Sequence, residues 1–338
     1  LSIKLIGFNM EFTEEVRKAT EPIYQKISKV LPEIEWSVHA PYVHRINQLK
    51  KEKNAVILAH NYQTPEIYHG VADFAADSLA LAVEAAKTSA DIIVLCGVHF
   101  MAETAKLMSP EKKVLIPDMD AGCSLAASLT GEDVRLLKKK YPGVPVVSYV
   151  NTSADVKAET DVCCTSANAV KVVESLKTDK VIFLPDQHLA NYVAKQTKVK
   201  IISWKGSCIV HEQFSAKEIE DIRKANPGIK VIGHPECPSD VLDACDFAGS
   251  TGGMIDYVKK NQPKKVMLVT ECSMSDNVQA DNPNVEFIKP CNLCPYMKKI
   301  NLQKILDCLE NETNEIFIEE KMAKAARQSV QRMTEIGR

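Results

Sequence analysis

The sequence predicts an α/β protein: three homologous three-layer α/β/α domains around a pseudo-threefold axis, with the active site in the central cavity. Three observations predict it. Short apolar runs such as Ala55–Ala59, Ile92–Leu95 and Val114–Ile116 alternate with helical stretches, the pattern of buried parallel strands joined by helices. Three sets of landmarks recur at a nearly constant period. A cysteine follows the third strand of each set.

Residues 1–40 read as an N-terminal helical segment. Val16, Ile23, Ile27 and Val30 stand at helical spacing within an amphipathic stretch over 11–31. The chain opens on Leu1, and Met10 is a candidate start with residues 1–9 upstream of it.

The first α/β repeat is expected over 41–140, the second over 141–228 and the third over 229–310. Each opens on a strand with a polar end: VILAHNY to Tyr62, VVSYVN to Asn151 and VIGHPE to Glu236. A small hydroxyl-bearing pair follows where a helix should open: Asp77-Ser78, Thr165-Ser166 and Ser250-Thr251. A second strand comes next (DIIVLC, KVIFLP, KVMLVT), then a third (KVLIPD, VKIISW, NVEFIKP), then Cys123, Cys208 or Cys294. The register holds: His60, Tyr149 and His234 are 89 and 85 residues apart, Ser78, Ser166 and Thr251 are 88 and 85, and the cysteines are 85 and 86. Residues 311–338 read as a C-terminal helix packing on the body, with Ile316, Ile318, Met322 and Ala325 inward.

In parallel α/β units functional groups gather at the C-terminal ends of the strands. Three such units around one axis aim those ends at a shared cavity. The repeat therefore selects three of the eleven cysteines. One thiolate from each unit makes a soft three-coordinate site, suited to zinc, Cu(I) or an iron–sulfur cluster. Structural zinc usually takes four ligands, often as two close pairs. Three thiolates on a 4Fe–4S cluster leave one iron open, able to act as a Lewis acid.

Cys291 and Cys294 form a C-x-x-C, which alone fits half a zinc site, a redox pair or coincidence. The repeat favours Cys294 as the ligand, with Cys291 a bystander or redox partner. Cys163 and Cys164 are adjacent, so their side chains diverge. Cys96, Cys237, Cys245, Cys272 and Cys308 are expected to be buried small hydrophobes.

The strand-end pairs His60 with Tyr62, Tyr149 with Asn151, and His234 with Glu236 are the acid–base candidates, because residues i and i+2 of an extended segment face the same side. The hydroxyl pairs are candidate anion sites, since a helix start offers free N–H groups and the positive end of its dipole. Plain N-capping is their structural alternative.

Composition excludes several classes. The chain is 45% apolar and 25% charged, as ordinary globular proteins are. Its net charge of -2 and scattered arginines give no drive toward nucleic acid or an anionic membrane. No apolar run approaches the roughly 18 residues that span a bilayer. No signal-like segment opens the chain, so a cytoplasmic location is expected.

The motifs AHNYQ (Ala59 to Gln63), AGCSLA (Ala121 to Ala126), YVNTSA (Tyr149 to Ala154), CTSANA (Cys164 to Ala169), GSCIVHE (Gly206 to Glu212), HPEC (His234 to Cys237), STGGM (Ser250 to Met254) and CPYMK (Cys294 to Lys298) together resemble the quinolinate synthase family of de novo NAD biosynthesis. The resemblance covers nearly all of 40–310. It implies a 4Fe–4S cluster held by Cys123, Cys208 and Cys294. It implies condensation of iminoaspartate with dihydroxyacetone phosphate to quinolinate, phosphate and water, with L-aspartate oxidase or aspartate dehydrogenase as a transient partner supplying iminoaspartate. The substrate-facing residues implied are His60, Tyr62, Ser78, Tyr149, Asn151, Ser166, His234, Glu236, Ser250 and Thr251, with His211 nearby. Catalysis is expected from Glu236, His234, Tyr62 and His60. Some members of the family carry C-x-x-C-x-x-C in the last motif. Here Ile288 stands three before Cys291 and Met297 three after Cys294, which limits any such redox switch to Cys291 with Cys294.

Two other classes bear on the same residues. A cluster-containing sensor or ligand-binding protein without turnover would need the thiolate site alone, but no DNA-binding helix pair or basic face accompanies it. A zinc hydrolase would want a histidine-rich set such as H-E-x-x-H, and none is present.

Overall fold

The computed structural model describes residues 10–289 and 291–337. It holds three parallel four-stranded sheets. In the first, β1 (Ala55–His60), β2 (Phe74–Ala76), β3 (Ile92–Cys96) and β4 (Lys113–Leu115) lie in the order β2-β1-β3-β4. The second contains β5 (Val146–Tyr149), β6 (Val162–Cys164), β7 (Lys180–Leu184) and β8 (Lys200–Ser203), ordered β6-β5-β7-β8. The third contains β9 (Lys230–Gly233), β10 (Phe247–Ala248), β11 (Lys265–Val269) and β12 (Glu286–Phe287), ordered β10-β9-β11-β12. One topology is thus used three times. Ile93, Val94, Ile182, Phe183, Leu268 and Val269 are fully buried, as expected of central strands covered by helices on both faces.

The sequence pattern shows three strands per unit, and the structure adds a fourth. β2, β6 and β10 are two or three residues long. Each pairs with the first strand of its unit, as in His60 with Ala76 and Tyr149 with Cys164. A strand that short carries no readable period, so only its pairing reveals it. Each delivers the hydroxyl-bearing pair directly beside the first strand's polar end.

At the N-terminus the amphipathic helix runs over Glu14–Ile27, capped by Thr13, whose Oγ1 accepts the Val16 N–H. A second helix, Glu33–Glu52, follows and crosses residue 40 with Pro41 inside it. Proline usually ends a helix. Here Trp36, Ala40, Val43, Ile46 and Leu49 bury one continuous face, and that packing holds the helix through the proline.

Helix Glu320–Ile336 buries Ala326, Ser329, Val330 and Met333 against helix Ala154–Ala158, β6 and helix His99–Met108. It bridges the first two units. Ile316 lies before that helix, where the Ile316 N–H donates to the Val114 carbonyl and Leu115 bridges Glu315. This short antiparallel segment covers the β4 edge.

Among the described residues no helix is long and apolar enough to cross a membrane.

Candidate active site

The polar strand ends point into one cavity lined from all three sheets. His60 ends β1, Tyr149 ends β5 and His234 directly follows β9. Of the sequence-nominated residues, His60, Tyr62, Ser78, Tyr149, Asn151, Ser166, His234, Glu236, Thr251, Cys123, Cys208 and Cys294 all line it. Ser250 does not. It caps helix Thr251–Asn261 by accepting the Gly253 N–H at 3.2 Å. The described lining carries no lysine or arginine.

The hydroxyl pairs divide in their roles. Asp77 caps helix Ser78–Lys87, accepting the Ala80 N–H at 3.0 Å and leaving Ser78 at the first turn. Thr251 likewise opens its helix, and its hydroxyl is held by Asn61 Nδ2 at 2.9 Å. In the second unit the helix begins only at Ala169. Thr165 and Ser166 sit in a turn closed by Asn168 Oδ1, which accepts the Thr165 N–H at 2.8 Å. Asparagine competes for the backbone here and delays the helix.

Two histidines have their ring chemistry set by the repeat. His60 Nδ1 accepts the Tyr62 N–H at 3.2 Å, and His234 Nδ1 accepts the Glu236 N–H at 3.3 Å. With Nδ1 used as acceptor, the proton of each neutral ring resides on Nε2. His234 Nε2 then donates to Ser166 Oγ at 3.3 Å. Burial lowers the His60 pKa to about 4 and that of His234 to about 3, against the partial support of the Glu236 charge. Both rings are therefore uncharged near neutral pH.

Glu236 is the centre of the polar network. Tyr149 Oη donates to Glu236 Oε1 at 2.5 Å, and His211 Nδ1 stands 2.8 Å from Oε2. Burial opposes ionisation of Glu236. The neighbouring His234 and His211 rings, with the hydrogen bond from Tyr149, outweigh it and hold the carboxyl below the usual carboxylate range. Since His234 is uncharged near neutral pH, the Tyr149 hydrogen bond and the close approach of His211 are what sustain the ionised form. Burial first, and then the Glu236 charge, push the Tyr149 phenol well above its ordinary value. The proton of this pair therefore resides on tyrosine.

A second chain joins Tyr62 to the same place. Tyr62 Oη lies 2.5 Å from Thr270 Oγ1, and His211 Nε2 lies 2.9 Å from that hydroxyl. The His211 and His234 rings stack at 4.7 Å. Thr270 follows β11 and was not singled out in the sequence, although its position at a strand end was the available signal. Asp77 also lines the cavity.

The three cavity cysteines share one local design. Each precedes a one-turn helix by three residues: Ala126–Ser128, His211–Gln213 and Met297–Lys299. The N–H groups of the residues two and three further on face each sulfur: Leu125 and Ala126 at Cys123, Val210 and His211 at Cys208, Tyr296 and Met297 at Cys294. Those groups favour thiolate, but burial dominates. It pushes Cys123 to about 12 and raises the other two. The sulfurs therefore become thiolates only against a bound cation.

A lone zinc held by tetrahedral thiolates at ~2.3 Å would bring the sulfurs to about 4 Å from one another. Among the described residues the donor group tight enough for one ion is Cys208, His211 and Glu236, with atoms within 4.8 Å of one another. The three cysteines do not form such a group. They surround the cavity more widely, which fits a larger polynuclear group better than a single ion.

The loops bearing these cysteines are locked together. Ser124 Oγ donates to the Ser207 carbonyl at 3.1 Å and accepts the Ile209 N–H at 3.3 Å. A side chain at Gly206 would place its Cβ 2.8 Å from Ser128 Oγ and 3.2 Å from Pro185 Cβ, so the glycine lets the two loops approach without moving those neighbours. Lys298 ties the third loop to the first sheet, donating to the Tyr62 carbonyl at 2.8 Å, to Ser273 Oγ at 2.7 Å and to fully buried Glu271 at 3.0 Å.

Comparison with known proteins agrees with this architecture. The family model for the quinolinate synthetase A protein matches residues 44–335. A quinolinate synthase of Sinorhizobium fredii is 60% identical over 328 residues, 97% of this chain and 91% of that protein. Those of Caulobacter vibrioides and Agrobacterium fabrum are 58% and 56% identical, each over 97% of this chain and over 91% and 95% of theirs. With a match of that extent and relatives of that identity, the chain belongs to the quinolinate synthetase A family, enzymes of NAD biosynthesis.

Proposed function

We propose that the cavity condenses iminoaspartate with dihydroxyacetone phosphate to give quinolinate, phosphate and two waters. The atoms balance without an oxidant, so the protein must bind two anions, form a C–C and a C–N bond and move protons. The observation that carries the reading is Glu236, clamped between the Tyr149 hydroxyl and His211 in a cavity that also holds three cysteines, one from each unit.

Cys123, Cys208 and Cys294 are the residues that would hold a 4Fe–4S cluster. Held by three thiolates, the cluster would supply one open iron as a Lewis acid toward substrate oxygen or nitrogen.

The remaining roles fall to the chain's own groups. Carboxylate and phosphate oxygens would be held by the hydroxyls of Ser78, Ser166 and Thr251, by Asn151, and by the starts of helices Ser78–Lys87 and Thr251–Asn261. His60 and His234, neutral and protonated on Nε2, would donate hydrogen bonds to substrate oxygens. Glu236 would take a proton from substrate and later return it, with the Tyr149 hydroxyl at 2.5 Å stabilising its charged form. Tyr62, held by Thr270, would close over the triose part with His60.

The three units are read as 41–140, 141–228 and 229–310. A cytoplasmic location and supply of iminoaspartate by L-aspartate oxidase or aspartate dehydrogenase complete this reading.

The test is anaerobic purification, iron and sulfide analysis, and a quinolinate assay on the two substrates. About four irons and four sulfides per chain with quinolinate formed is the expected result. Zinc or no metal, with no product after cluster reconstitution, would overturn it.

A further inference from the structure

The C-x-x-C of Cys291 and Cys294 suggests in sequence that these two thiols are partners. The structure pairs Cys291 differently. The Cys272 thiol points at the Cys291 sulfur at 3.5 Å, although the sequence reading had Cys272 as a buried hydrophobe. Cys272 is half-buried at the start of helix Cys272–Asp281, and Cys291 is exposed. The two segments are already joined by the backbone: the Cys272 N–H donates to the Asn292 carbonyl at 3.1 Å. Cys294 faces the other way, into the cavity, with the N–H groups of Tyr296 and Met297 at its sulfur.

We propose that Cys272 and Cys291 form a redox-active dithiol, a modification site outside the cavity that closes to an intramolecular disulfide while Cys294 remains free. A disulfide needs its sulfurs about 2.05 Å apart. Here they must approach by roughly 1.5 Å, which rotation of the exposed Cys291 side chain can supply while the backbone link to Asn292 stays in place. A second consequence follows from position. The disulfide would pin the Cys291–Cys294 segment to the end of β11, beside Glu271, whose Oε1 accepts the Cys294 N–H at 3.4 Å. Oxidation would therefore fasten the loop that presents Cys294 instead of consuming that thiol.

The chemistry balances with a low-molecular-weight disulfide as oxidant. Cys291, the accessible sulfur, attacks glutathione disulfide as thiolate and expels one glutathione. The Cys272 sulfur then attacks Cys291 Sγ in the mixed disulfide, giving up its proton, and expels the second. Two protein thiols lose two electrons and two protons, and glutathione disulfide gains them.

The test uses cluster-loaded protein held without oxygen and treated with glutathione disulfide. Free thiols are then alkylated, and the chain is cut after glutamate. Cleavage at Glu271 and Glu286 separates Cys272, in fragment 272–286, from Cys291, Cys294 and Cys308, in fragment 287–310. The expected result is a reducible cross-link between these fragments that maps to Cys291, loss of two free thiols per chain, Cys294 recovered alkylated, and unchanged iron. In Cys272→Ser, Cys291 should be trapped as the glutathione mixed disulfide. A link between Cys291 and Cys294, release of iron on oxidation, or no link at all would overturn the proposal. The iron measurement rests on the cluster reading, whereas the linkage map does not. Protein that never held iron but gave the Cys272–Cys291 link would fail the former alone.

Discussion

Tyr149 donates a 2.5 Å hydrogen bond to Glu236, from the end of the second unit's first strand to the polar end of the third's. Neither residue's own sheet supplies the other. The pair exists only because the units share a cavity, and it fixes the protonation of both groups. Removing the donor while keeping the ring isolates its effect. In Tyr149→Phe the Glu236 pKa should rise toward the ordinary carboxylate range, moving the acid limb of the pH–rate profile upward. Quinolinate formation should fall by about 10²-fold, the lower end for a lost proton-transfer group. A variant with unchanged rate and profile would remove this pair from the chemistry.

Glu236→Gln keeps the shape and loses the charge. Turnover is expected to fall by about 10²–10⁴-fold, while iron content and cluster absorption stay at the parental level. Full activity would reassign the base, and loss of iron would mean that Glu236 supports the metal site instead.

The ligand assignment divides the cysteines sharply. Cys123→Ser, Cys208→Ser and Cys294→Ser should each abolish stable cluster incorporation, measured as iron and sulfide per chain after reconstitution. Cys164→Ser, at a fully buried position on β6, should retain it. Full iron in any of the first three variants would break the three-thiolate reading.

His60 and His234 predict an acid-labile fold. Their folded pKa values, about 4 and about 3, lie below the ordinary 6.5. The unfolded chain therefore takes up protons first as pH falls. Their contribution to stability is complete above about pH 6.5 and is lost as pH drops toward 4, by a few kcal/mol per ring. Thermal melts from pH 7 to 4 should show the parental Tm falling more steeply than that of His60→Asn or His234→Asn. Parallel curves would show that these rings are not held neutral.

Lys298 stands opposite Glu271, which is fully buried. Lys298→Met leaves that carboxylate without its cation and should cost about 3 kcal/mol, within the range for breaking a buried pair. Lys298→Met with Glu271→Gln should recover much of the loss, because no unpaired charge remains. Equal melting points for the single and double variants would show that the pair does not interact.

The sequence by itself determined the threefold repeat, the strands β1, β3 and β4 with their counterparts, the polar ends at His60, Tyr149 and His234, and the choice of Cys123, Cys208 and Cys294. All of these are periodic or local. A strand's burial and a helix start's hydroxyl are written in a few adjacent residues, and repetition makes them legible. Tertiary structure decided the rest. The two- and three-residue strands β2, β6 and β10 exist only as partners of a neighbour. Helix Glu33–Glu52 runs through Pro41 because the body buries one of its faces. Ser250 spends its hydroxyl on a cap, whereas Ser78, Ser166 and Thr251 reach the cavity. The contacts of Glu236 with Tyr149 and His211, of Tyr62 with Thr270, and of Cys272 with Cys291 join residues far apart in the chain. Such contacts depend on how whole sheets and loops are placed against one another, and local propensity carries no information about that placement.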